Sequence, residues 1–357
     1  MLYLNFEDER LLGFEAADFN SILAAHAEMT ERKELPTLFL DEIQIIDGWE
    51  KLARRMADAE ANVYITGSNA KMLSTDVCAA LGGRYMTVNV FPLSFSEVLT
   101  AKGIPFDRNS LFTTSGAAAL RREYKEYARF GGFPECLNYP SKREYLNSLL
   151  QKIYLGDIAV RNKVSNIYPL RVLLKKIADS VGQPLSYTRL TKIITAVGAA
   201  LSKTTCIHYA EYARQACLTV RLDNFVGKLV DKESNPKFYF VDTGLIALFK
   251  QDADSDQLEN LTAIELLRRY GSDDVVFFYK RDIEVDFYVP SASLAVQACL
   301  ELGCGTDTEI IKTQAFVKMA KEFPVERRVI ITRSEERVID SAAGPIEVIP
   351  AWKWLLS

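Results

Sequence analysis

The chain has 357 residues, 48% hydrophobic and 25% charged, with a formal net charge of −4, a balance that suits an ordinary globular protein with two or three cores and excludes a disordered one. No apolar run approaches the ~20 residues of a membrane span, and the start lacks the charged, apolar and small-residue succession of a signal peptide, so a cytoplasmic protein with no membrane partner is expected. Six cysteines and two histidines show no zinc-ligand spacing and read as buried thiols in a reducing compartment.

Charge is unevenly spread. Residues 1–100 hold 8 Lys/Arg against 16 Asp/Glu, whereas residues 161–232 hold 12 against 4, so an acidic beginning is followed by a basic middle.

From Leu2 to about Val98 the pattern is α/β: four short apolar strands are predicted near Leu2–Asn5, Thr37–Leu40, Val63–Thr66 and Tyr85–Val90, with helical stretches between them. Such alternation implies a parallel sheet with helices on both faces. The second strand ends in two adjacent carboxylates, Asp41 and Glu42. A strand end is where phosphoryl-transfer chemistry needs one carboxylate on a Mg²⁺-bound water and a second to orient the attacking water. Ser68 and Asn69 follow the third strand, where a γ-phosphate would sit, and Arg84 stands on the glycine-permitted turn Gly82-Gly83 within reach of a phosphate. Read blandly, Asp41-Glu42 is a solvated turn. No GxxxxGK[ST] phosphate loop occurs anywhere in the chain.

Helix is predicted from Phe95 through Arg129 and again from Lys142 to about Arg161, broken by Gly131-Gly132-Phe133-Pro134. Over 170–250 the apolar spacing gives helices along Val172–Val181 and Leu190–Val197, a third running from a Ser202 cap to about Gln215, then extended runs at Leu218–Leu222 and Lys237–Asp242. Three helices and a hairpin read as a winged helix-turn-helix. Its third helix would present Lys203, Thr204, Thr205, His208 and Arg214 to DNA, with Lys175, Lys176, Arg189, Lys192 and Arg221 adding phosphate contacts. The same surface serves equally as a docking face for a protein partner, the acidic first hundred residues being an electrostatic complement.

The last hundred residues form a further α/β unit: a helix over Gln257–Tyr270, strands at Val275–Lys280, Val285–Val289 and Leu294–Cys299, a helix from Thr308 to about Glu322, and a strand at Arg328–Thr332.

The segments LFLDEIQ, ITGSNAKML, LGGRY, FPLSFSEVL, YARFGGFPECL and FYFVDTGL occur in an order that resembles the prokaryotic AAA-type ATPases carrying a C-terminal domain of unknown function. The resemblance covers essentially the whole chain. It implies an incomplete P-loop NTPase-type sheet over residues 1–100, a helical connector over 101–169, a winged helix over 170–250 and a restriction-endonuclease-like, PD-(D/E)XK-type α/β domain over 251–357. It further implies Asp41 and Glu42 as the Walker B pair, with Asp41 the metal-side carboxylate, Ser68 or Asn69 as the first sensor, and Arg84 as the family's arginine. ATP and Mg²⁺ are the cofactors of intact relatives. Family members carry a further segment of about 30–40 residues ahead of Met1, a usual size for one βα unit, containing the first strand and phosphate loop. The expectation is therefore a late start or a nucleotide-free remnant, with impaired ATP hydrolysis and the alternative of a non-catalytic nucleic-acid or protein-binding scaffold.

In the last domain Glu265, Asp286 and Gln297 resemble the metal-binding residues of restriction-endonuclease-like cores, but Cys299 occupies the position of the lysine. Nuclease activity is not expected unless Lys280 or Lys312 is brought to the site.

Overall fold

The computed structural model describes residues 1–30, 35–67, 81–271 and 275–357. It divides into two compact units, Met1–Asn89 with Gln215–Cys217 and Val90–Arg214 with Leu218–Ser357.

In the first unit, β1 (Leu2–Asn5), α1 (Phe19–Thr30), β2 (Leu38–Asp41), α2 (Trp49–Asp58) and β3 (Val63–Ile65) build a parallel sheet in the order β1-β2-β3. Alternation along β2 sends Leu38 and Leu40 into a core with Phe6, Phe19, Trp49, Leu52 and Met56, and leaves Phe39 stacked on Tyr64 at 4.8 Å on the other face. The fourth strand expected at Tyr85–Val90 does not form. Met86, Val88 and Val90 are 94%, 80% and 92% exposed, because an alternating sequence becomes a strand only beside a neighbour and no described strand lies next to it.

The second unit opens with α3 (Phe95–Ala101), α4 (Arg108–Phe112) and α5 (Thr114–Phe130) in place of one continuous helix. Gly103 turns left-handed (φ 66°) ahead of Pro105, and Asp107 and Thr113 each cap a fresh start. Then come α6 (Lys142–Lys152), which runs on into a π-helical stretch over Ile153–Val160, α7 (Tyr168–Ala178), α8 (Tyr187–Ala196), α9 (Lys203–Gln215), β4 (Thr219–Leu222), α10 (Leu229–Ser234), β5 (Lys237–Phe240) and α11 (Thr243–Phe249). β4 and β5 form an antiparallel pair, and Leu185 N–H, ahead of α8, donates to Pro236 C=O at 2.8 Å. The core stripes of α7, α8 and α9 are Leu173, Leu174 and Ile177; Tyr187, Leu190 and Ile194; and Cys206, Tyr209 and Ala213.

The remainder is α12 (Asp254–Tyr270), β6 (Phe277–Lys280), β7 (Glu284–Val289), β8 (Leu294–Ala298), α13 (Asp307–Met319), β9 (Arg327–Thr332), β10 (Arg337–Ile339), β11 (Ile346–Pro350) and α14 (Ala351–Trp354). The sheet order is β10-β11-β9-β8-β7-β6, antiparallel through β6-β7-β8, parallel through β8-β9-β11, and antiparallel again at β10. The chain between β4 and β5 is tied to this sheet. Phe225 N–H donates to Phe278 C=O at 2.8 Å, Phe278 N–H donates to Asp223 C=O at 3.1 Å, and the Phe225 ring packs edge-on against Tyr288 and Phe323.

Three glycines, Gly131, Gly132 and Gly244, decide how the helices of this unit join. Gly131, left-handed at φ 74°, ends α5, and a Cβ there would lie 1.6 Å from Asp242 Oδ1. Gly244 in α11 likewise crowds the carbonyl of Phe130, at 2.4 Å for a built Cβ. Asp242 sits between them, accepting from the N–H groups of Gly132 (2.7 Å) and Gly244 (2.8 Å). The FGGF and VDTGL segments are thus one buried joint. Burial pushes the Asp242 carboxyl up to about 6, the two N–H groups and Arg268 opposing it.

Candidate functional site

In the first unit the parallel register pairs Leu40 with Ile65, so the residues that follow, Asp41 and Thr66, emerge side by side at the carboxyl edge of the sheet. The Thr66 hydroxyl donates to Asp41 Oδ1, and Tyr3 from β1 donates its hydroxyl to Asp41 Oδ2 at 2.8 Å. That hydrogen bond to a carboxylate raises the Tyr3 phenol's pKa. Glu42 follows in the left-handed region (φ 53°), a conformation that costs a non-glycine residue energy and bends the chain sharply after the strand. Gln44 donates to the Glu42 carboxylate, and the Glu42 N–H reaches Thr66 Oγ1 at 3.4 Å. Arg84 pairs with Asp58 in the last turn of α2. Because α2 runs back from the carboxyl edge of the sheet, that turn lies at the end away from Asp41. Ser68 and Asn69 lie outside the described residues.

On α9, Lys203, Thr204 and His208 are exposed, while Thr205 is half-buried with its N–H on the capping hydroxyl of Ser202 at 3.0 Å. Arg214 is engaged by Glu211 through Nε and Nη2 at 2.9 and 2.8 Å. Lys203 also joins Thr188, Thr191, Lys192 and Thr195 of α8 around an open groove of about 450 Å³. Lys175, Arg189 and Lys192 are exposed, and Arg221 is held by Asp223 at 2.9 Å.

In the C-terminal sheet the expected trio does not converge. Glu265 lies on α12 between Arg268 (2.7 Å) and Arg269 (2.8 Å), and those arginines reach the carbonyls of Pro92 and Trp354, a clamp between α12 and neighbouring chain. The acid that faces Asp286 is Glu259, six residues earlier and on another side of the helix. Asp286 on β7 accepts from Ala298 N–H at 2.9 Å and pairs with Lys312 of α13 at 3.1 Å, so the fold brings in Lys312 where Cys299 stands in the strand. Gln297 is fully buried, and its amide donates to Lys312 C=O at 3.0 Å. Cys299 turns away, its thiol on the carbonyl of Glu301.

Lys237 belongs to no motif of the sequence. On β5 it is 0% exposed, with Nζ 2.8 Å from Glu284 Oε1 and 3.6 Å from Glu259 Oε1. Tyr239, on the same face of the strand, donates to Glu259 Oε1 at 2.9 Å. Burial pushes Glu259 up despite Lys237. For Asp286 burial also acts upward, but Lys312 and Lys237 outweigh it and leave the carboxylate below its ordinary range. Among the described residues no three His, Cys, Asp or Glu side chains converge as a metal ion would require. A divalent nuclease metal does not fit here, since Lys237 and Lys312 already stand among these carboxylates.

Against known proteins, a family model described as an AAA domain matches residues 1–99, and one described as a domain of unknown function (DUF8612) matches residues 121–256. An uncharacterized protein of Methanocaldococcus jannaschii is 31% identical over 368 residues, spanning 100% of this chain and 82% of the relative. An uncharacterized protein of Haemophilus influenzae is likewise 31% identical over 369 residues, spanning 100% of this chain and 86% of its own length.

The chain belongs to this AAA-domain family. Within the AAA domain, Asp41 and Thr66 stand side by side where β2 and β3 end. The signal for Thr66 in the sequence is its register, one step beyond the apolar strand. No described helix is long and apolar enough to cross a membrane.

Proposed function

We propose that the chain acts as an AAA-type ATPase switch. Asp41 would hold Mg²⁺, Thr66 would support Asp41 from the neighbouring strand, and Glu42 would orient the attacking water. The observation that carries this reading is the Asp41–Thr66 hydrogen bond at the carboxyl edge of a parallel sheet matched as an AAA domain. The carboxylates of Asp41 and Glu42 and the hydroxyl of Thr66 are oxygen donors of the kind that suits a hard cation. Mg²⁺ with ATP would supply charge neutralisation at the transferred phosphoryl group. The 357 residues contain no GxxxxGK[ST] loop, so on their own they lack its lysine and its nest of N–H donors. The test is ATP turnover by the protein expressed with any in-frame codons upstream of Met1. Glu42→Gln is expected to lower kcat by about 10²-fold or more, and an unchanged rate rejects the role given to Glu42.

The same proposal gives the α8–α9 face to DNA. The order α7-α8-α9-β4-β5, with Leu185 hydrogen-bonded beside β5, supports a winged helix whose third helix carries exposed Lys203, Thr204 and His208. Its wing is occupied, since Phe225 and Asn224 are bound to β6 and the sheet core. Groove contacts therefore fall to α9 and phosphate contacts to Lys192 and Lys203. Lys203→Glu is expected to weaken duplex binding about equally for all sequences and to lower the log–log salt slope by about one. Salt-insensitive anisotropy would instead favour the non-catalytic, protein-binding scaffold. The order α12-β6-β7-β8-α13-β9 supports a restriction-endonuclease-like core, without nuclease chemistry.

A further inference from the structure

The exposed residues of α9 divide into a charged flank and an uncharged centre. We propose, resting on the winged-helix reading given above, that His208 is the specificity-determining residue of this helix: its imidazole reads a guanine edge in the major groove, while Lys192 and Lys203 grip phosphate without regard to sequence.

Placement comes first. α9 buries Cys206, Tyr209, Ala210 and Ala213, and at about 100° of turn per residue the direction opposite that stripe falls on Thr204, His208 and Glu211. Lys203 stands about a third of a turn away, on the side where the groove with α8 opens. Charge at the centre is cancelled, since Glu211 holds Arg214 through two hydrogen bonds at 2.9 and 2.8 Å, so phosphate attraction comes from the flank. The ring is also braced. Its centroid lies 6.2 Å from that of Tyr212, one turn on and tilted by 32°, and Tyr212 lies 6.3 Å from the buried Tyr209. A side chain held in this way loses less rotamer freedom when it binds. An imidazole N–H is a donor, and guanine turns two acceptors, N7 and O6, toward the major groove, whereas adenine sets an amino donor beside its N7. The N–H is therefore met along the guanine edge and opposed on part of the adenine edge. With the hairpin segment Asn224–Phe225 engaged by β6, α9 is the element left to read bases.

The experiment selects duplexes from a random-sequence library with the full chain, then measures anisotropy on the selected site and on the same site with its guanine changed to adenine, at one salt concentration. Wild type is expected to enrich sites sharing a guanine and to bind them about tenfold tighter than the adenine version. In His208→Ala that ratio is expected to fall close to one. In Lys203→Glu the ratio is expected to stay while affinity for both duplexes drops, which separates reading from gripping. Salt-dependent binding with no enriched guanine, or a guanine preference that survives in His208→Ala, overturns the assignment of His208 and leaves phosphate binding standing. Absence of any salt-dependent binding removes the winged-helix reading, and the assignment with it.

Discussion

Asp242→Ala is expected to lower the free energy of unfolding by about 2–4 kcal/mol at pH 5, because it leaves the N–H groups of Gly132 and Gly244 buried without an acceptor. The joint cannot close around a smaller side chain, since Gly131 and Gly244 already hold the backbone at its nearest approach. The size of the effect depends on pH in a direction that can be worked out. The folded-state carboxyl titrates at about 6 against an ordinary 3.8, so the fold prefers the protonated form. The wild type therefore loses stability as pH rises from about 4 through 6, by about 3 kcal/mol for a shift of this size. The Ala variant has no such loss. Urea titrations should show the gap between the two proteins narrowing from pH 5 to pH 8, and a gap that widens would mean that Asp242 is buried as a stabilised anion.

How far the sequence exposes this architecture depends on which interaction decides each element. β1, β2 and β3 are apolar runs whose local pattern and burial agree, and they form where expected. Tyr85–Val90 has an equally good period of two, but strand formation is a matter of partners, and a partner cannot be read from the segment itself. Which acid of α12 faces Asp286 is hidden for a related reason. α12 is buried along most of its length, from Gln257 and Leu258 to Leu266 and Leu267, so no solvent face indicates which carboxylate looks toward Asp286. Glu259 and Glu265 are then told apart only by packing: Arg268 and Arg269 claim the second, and Lys237 and Tyr239 the first. Lys237 itself is silent in the sequence, because a lysine opening a strand next to Pro236 looks like an ordinary solvated strand end. Its burial follows from α12 and β7 covering that face, an event distant along the chain.

The buried charges also set the second large expectation. Asp286→Ala should cost about 3–5 kcal/mol at pH 7, more than any single exposed ion pair of this protein, because it strands Lys312 and Lys237 beside one fewer carboxylate and frees the Ala298 N–H. Asp286→Asn keeps an acceptor for that N–H and should cost less. The pH signature is opposite to that of Asp242. Asp286 is held below its ordinary range, so its contribution is present above about pH 4 and is lost as pH falls through the depressed folded value. Acid titration of the wild type should accordingly show a loss that the Asn variant lacks, while the rise in stability from Asp242 protonation persists in both. If Asp286→Ala unfolds with wild-type stability at pH 7, the cluster is a solvated group of side chains, and what ties the β4–β5 segment to the sheet must be sought in the apolar contacts of Phe225 instead.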